Sequence, residues 1–116
     1  MPNGNLALLQ GTLDVLVMKS LIFGPRHGFA VARWIRDTTD GELEVEEGAL
    51  YTSLHRMEKR GWLDAEWGQS EHNRRAKYYA LTAEGRQQLN ASAQSWTRYA
   101  QAVFKVLAAS EAGSVA

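Results

Sequence analysis

The stretch from Glu47 to Leu63, EGALYTSLHRMEKRGWL, sets small and hydroxyl side chains ahead of cationic ones. Ala49, Tyr51, Thr52 and Ser53 come first, and Arg56 and Lys59 follow. Further on, Arg74, Arg75 and Lys77 lie almost together. A narrow, hydrogen-bonding leading end lets a helix enter a major groove and read base edges. Backbone amides at that end can also meet a phosphate. Guanidinium and ammonium groups nearby can neutralise the flanking backbone. The chemistry these residues fit is contact with duplex DNA, with all nine as candidate contacts.

Other chemistries find no residues arranged for them. His27, His55 and His72 fall on different elements without H-x₃-H spacing, so no metal site is expected. No Ser-His-Asp set, catalytic carboxylate pair or phosphate-cradling glycine loop can be assembled, so neither an enzyme nor a cofactor is expected. The chain has no cysteine, which excludes disulfides and thiolate ligands. Its 116 residues, 45% hydrophobic, fit one domain with a small core. The start MPNGNLALLQGTLD lacks the basic flank and apolar run of a signal peptide, and no apolar stretch reaches the roughly 20 residues of a membrane span. A reducing cytoplasm is the expected location. Net charge is zero, which argues against an indiscriminate polyanion binder. Its distribution is more informative: every charged residue from Asp37 to Glu47 is acidic, whereas Arg56 to Lys77 holds six bases against four acids.

Local patterns supply the elements that would position these side chains. Leu6, Leu9, Leu13, Leu16 and Val17 recur at helical spacing, with other faces also apolar, and predict a buried first helix from about Asn5 to Phe23. Gly24-Pro25 ends it. Phe29, Ala32 and Ile35 predict a second helix to about Thr38. Leu43 and Val45 alternate with glutamates as in a short strand. Leu50, Leu54 and Met57 form the inward stripe of a third helix that Gly61 stops. WLDAEW and RAKYYALT predict a hairpin around the polar loop GQSEHNR, and Thr82 caps a long last helix with Glu84 in its first turn. This order is that of a winged helix-turn-helix: mainly α, with a small β-hairpin wing, followed by a long terminal helix. The third helix takes the place of the recognition helix.

EEGALYTSLHRMEKRGWL, RRAKYYALTAEGR and GPRHGFAV together resemble the PadR family of bacterial transcriptional regulators. The resemblance covers about residues 6 to 107, and the block L-Y-x-x-L-x-R-x-E-x-x-G followed by R-x-K-Y-Y-x-L-T carries it. It implies a dimeric repressor that binds a DNA operator. The family often has proline after L-Y; here Thr52 keeps a backbone donor and adds a hydroxyl, a change that bears on operator preference. The short C-terminus is similar to the branch with a single terminal helix.

Leu89, Ala93, Trp96, Ala100, Val103 and Leu107 are spaced 4, 3, 4, 3, 4, a heptad seam. A helix of such length predicts a symmetric dimer in which the seam meets its copy. Trp96 is large for a seam flanked by Ala93 and Ala100. SWTR at 95–98 resembles the corresponding helix of multidrug-responsive PadR proteins, which implies that paired Trp96 rings sandwich a planar aromatic effector.

The expected organisation is a DNA-binding domain over 1–82, a dimerisation helix over 83–109 and a flexible tail over 110–116. The expected function is that of a dimeric repressor on a roughly palindromic operator, released by an aromatic or hydrophobic ligand. The alternative is a winged helix serving protein interaction or assembly without DNA, since fold does not fix function.

Overall fold

Periodic leucines and valines build α1 over Gln10–Leu21, and it is the hub of the structure. The computed structural model describes residues 10–111; the expected start of α1 at Asn5 and the tail beyond Glu111 lie outside them. After α1 come β1 (Arg26–His27), α2 (Gly28–Thr38), α3 (Glu47–Lys59), β2 (Leu63–Gln69), β3 (Arg75–Leu81) and α4 (Ala83–Ala108). Leu13, Val17, Met18 and Leu21 of α1 meet Val31 and Ile35 of α2, Leu50, Leu54 and Met57 of α3, Leu63, Tyr79, and Leu89 of α4 in one buried cluster. The fold is α+β, with a three-stranded antiparallel sheet in the order β1-β3-β2.

One predicted strand is absent. Leu43 and Val45 lie in irregular chain without a strand partner, half-buried against the core. The third strand is instead Arg26–His27, which pairs with Tyr79 and Tyr78 on the free edge of β3. Alternation alone does not make a strand; a partner's unpaired amides and carbonyls do. The hairpin is as predicted, running from the Leu63–Leu81 pair to the Gln69–Arg75 pair.

Each helix end has a local cause. His27 Nδ1 accepts the Ala30 amide at 3.2 Å and caps α2. Glu46 Oε1 accepts the Ala49 amide at 2.8 Å and caps α3. Gly61, at φ +81°, provides the left-handed turn after α3. Thr82 caps α4 by accepting the Gly85 amide at 3.0 Å, while its hydroxyl donates to the Gly61 carbonyl at 2.6 Å. Such a cap contributes about 1 kcal/mol. Gly85 lies so close to the Trp62 carbonyl that any Cβ would collide with it. The first turn of α4 is thereby set directly onto the chain that joins α3 to β2.

Candidate nucleic-acid interface

The inward stripe of α3 turns Thr52, His55 and Lys59 to solvent. The wing stands beside this face. Between them is an open cleft of about 1080 Å³, whose lining includes Tyr51 and His55 of α3, Phe29 of α2, and Trp67, Arg74 and Arg75 of the wing. The hairpin turn that presents Arg74 is closed by the Ser70 amide donating to the Arg74 carbonyl at 2.8 Å. Asn73 there takes φ +60°, a conformation asparagine tolerates better than most residues. Arg74 and Arg75 are exposed, and the Arg75 guanidinium stacks over Trp67 at 4.6 Å. Tyr51 is half-buried, with its ring packed against Gly28 at the start of α2.

Three expected DNA contacts have partners within the chain, and for the buried Ser53 the expectation is corrected. Ser53 is 1% exposed, and its hydroxyl donates to Asp14 Oδ1 at 2.6 Å. It stands three residues after Leu50 and four before Met57, so the helical period itself sets it on the inward face. Arg56 grips the same Asp14 with both terminal nitrogens, at 2.7 and 3.0 Å. That hydrogen bond holds the Arg56 guanidinium more firmly protonated than usual, against the opposing effect of burial. Lys77 pairs with Glu58 at 3.2 Å and lies over the Tyr79 ring at 5.5 Å. Burial in turn raises the Tyr79 phenol, with Lys77 acting in the opposite sense. At the start of α3 the Glu46 carboxylate already accepts the Ala49 amide. Ala49, Thr52 and Lys59 remain exposed as expected.

On α4 the heptad divides. Leu89 is buried in its own domain and is not available to a partner, which corrects its place in the seam. Ala93 and Ala100 are half-buried, whereas Val103 and Leu107 are exposed, Leu107 by 75%. Trp96 is 45% exposed, and its indole N–H donates to Thr12 Oγ1 of α1 at 2.8 Å. The small side chains leave a shallow hollow of about 370 Å³ lined by Ala93, Gln94, Thr97 and Arg98, one helical face away from the indole.

Phe29, Trp67, His27, His55 and His72 also line the cleft, and the sequence reading gave none of them that place. For Phe29 and Trp67 the signal is the exposure of a large aromatic, which only a folded chain reveals. Among the described residues, no group of three or more His, Cys, Asp or Glu is placed to hold a metal ion. No helix among them is long and apolar enough to cross a membrane.

A solvent-facing third helix beside a hairpin that exposes Arg74 and Arg75, on a three-stranded sheet backed by helices, is the arrangement of a winged-helix DNA-binding regulator. The model of the transcriptional regulator PadR-like family matches residues 17–91, and the chain belongs to that family. Among solved structures it is similar to a PadR family transcriptional regulator from Eggerthella lenta, at 31% identity and a TM-score of 0.71, covering 84% of this chain and 83% of that one. It is also similar to a transcriptional regulator from Clostridium thermocellum, at 28% identity and a TM-score of 0.73, covering 81% and 91%. A protein of Lysinibacillus sphaericus is 25% identical over 89 residues, which span 77% of this chain and 82% of that protein. The family and these solved neighbours are transcriptional regulators rather than enzymes.

Proposed function

We propose that this protein is a homodimeric repressor of a roughly palindromic operator, with residues 1–82 binding DNA and residues 83–109 holding the dimer. In this reading the exposed face of α3 enters the major groove through Ala49, Thr52 and Lys59. Arg74 and Arg75 grip the adjacent minor groove or its phosphates, and Tyr51 contributes a hydroxyl at the cleft wall. The observation that carries the reading is the juxtaposition across the cleft: His55 of α3 and Arg74 and Arg75 of the wing, far apart in sequence, line one concave surface. The dimer is supported by the apolar outer half of α4, where Tyr99, Val103, Phe104, Val106 and Leu107 all face solvent in the single chain.

Selection of duplexes from random sequence by the purified protein tests the reading. Half-sites about one helical turn apart, or a multiple of it, are expected from two-fold symmetry. Enrichment of no sequence, with no salt-dependent duplex binding, would remove it.

Release by a planar aromatic ligand between two Trp96 rings is part of the same proposal. It is supported by the partial exposure of Trp96 on the seam. Two stacking contacts supply about 1–3 kcal/mol beyond area burial, taking roughly 0.5–1.5 for each. Release also requires the ligand to prefer the conformer that does not fit DNA, since equal affinity for both shifts nothing. Titration of planar dyes, read by tryptophan fluorescence and operator release, checks this against Trp96→Ala. Equal quenching and release in that variant would place any effector elsewhere.

A further inference from the structure

Asp14 lies outside the cleft, yet it holds the recognition helix in place. It is 8% exposed and accepts three hydrogen bonds from α3: Ser53 Oγ at 2.6 Å, and Arg56 Nη1 and Nη2 at 2.7 and 3.0 Å. Two residues earlier on α1, Thr12 accepts the Trp96 indole N–H at 2.8 Å. Two residues correspond to about 200° of rotation at 3.6 residues per turn, so these contacts lie on opposite sides of α1. The helix is fastened to α4 on one side and to α3 on the other.

The apolar contacts of α3 hold it against the core but are non-directional. A carboxylate gripped by a guanidinium fork and a hydroxyl is directional, and it fixes rotation as well as distance. We propose that Asp14 is a positioning residue for the recognition helix, and that the Trp96–Thr12 and Asp14–Ser53–Arg56 contacts form one clasp through α1 that couples α4 to α3. The operator arm of this inference rests on the DNA-binding reading above.

Coupling between two sites is reciprocal. If the state of Trp96 acts on α3, duplex bound to α3 must act on Trp96. The test uses the full chain labelled with ¹⁵N. It has four tryptophans, and the Trp96 indole signal is the one missing in Trp96→Phe. Adding the selected duplex should move that signal in the wild-type protein. In Asp14→Asn the signal should stay still, at a salt concentration low enough for anisotropy to show the duplex still bound. The same substitution frees Arg56 to reach phosphate. The log–log salt slope should then steepen by about 2 for two subunits, at roughly 0.9 per added contact. Loss of stability alone would change neither the slope nor the response of the folded protein's Trp96.

Thr12→Val cuts the other end of the clasp at a half-buried position. It should silence the Trp96 response while leaving the slope unchanged, and it serves as the operator test if Asp14→Asn does not fold. A bound duplex that leaves the wild-type Trp96 signal unmoved overturns the clasp. So does a response in either variant as large as that of the wild-type protein. If no duplex binds at all, the DNA reading fails instead, and the clasp is judged in the free protein by solvent exchange of the Trp96 indole hydrogen. Exchange several-fold faster in Asp14→Asn, or in Arg56→Gln if Asp14→Asn does not fold, supports it; an unchanged rate overturns it.

Discussion

α3 and α4 each press one face onto the same core, but what they leave outside is opposite in kind. α3 turns outward the polar Thr52, His55 and Lys59 and the small Ala49. The outer half of α4 exposes the large apolar Tyr99, Val103, Phe104, Val106 and Leu107, beside Arg98, Gln101 and Lys105. A polar face is satisfied by water and can exchange that water for another polar surface at modest cost. An apolar face of this extent is incomplete until something covers it. The bases divide in the same manner. Arg56 and Lys77 are committed to acids within the chain, while Arg74 and Arg75 stand exposed on the wing. A side chain's availability follows from its partners, not from its neighbours in sequence.

The comparison breaks first at α4. Val103→Asp with Leu107→Asp should convert the proposed dimer to monomer, because each new carboxylate would be buried against an apolar partner at a cost of several kcal/mol. Light scattering decides this, and an unchanged dimer mass would show that the bare face is not the interface. Next comes the committed pair. Asp14→Ala leaves a half-buried guanidinium and the buried Ser53 hydroxyl unpaired and should lower stability by about 2 kcal/mol, measured by denaturant unfolding. A loss under about 1 kcal/mol would mean that Arg56 swings into water without penalty.

The exposed bases should behave in the opposite way. Arg74→Ala with Arg75→Ala should leave stability within about 0.5 kcal/mol of wild type. The same double variant should flatten the salt slope of operator binding by about 3.6, from four lost phosphate contacts at roughly 0.9 each. A wild-type slope would remove the wing from the interface. The smallest effect is expected at Lys77. Lys77→Ala breaks a partly exposed ion pair worth less than about 1 kcal/mol and should not alter the slope. If the slope does fall, Lys77 leaves Glu58 for DNA, and the division between committed and free bases is less sharp than drawn.

The elements that a local pattern can specify were legible in the sequence. The inward stripe Leu50, Leu54, Met57 gave α3, and Gly61 gave its end; both match the structure. Thr82 marked the start of α4, and WLDAEW with RAKYYALT marked the hairpin. β1 was not legible, because two residues carry no period and exist as a strand only through the edge of β3. The Asp14–Arg56 pair spans 42 positions, and no local pattern announces it. Arg56 therefore read as a free cation. Ser53 was legible in principle, since the period that buries Leu50 and Met57 buries it too.

The tight seat of Gly85 on the Trp62 carbonyl has a mechanical meaning. From Gly85 to Ala108 α4 runs about 35 Å at 1.5 Å per residue. A tilt of 5° about that seat would carry the far end by about 3 Å, close to one base-pair step, by lever arithmetic on the same rise. With no side chain to act as a shim, the seat leaves little room for such a tilt. The glycine sets the gauge of the molecule: in the dimer proposed above, it fixes how far apart two reading heads can stand.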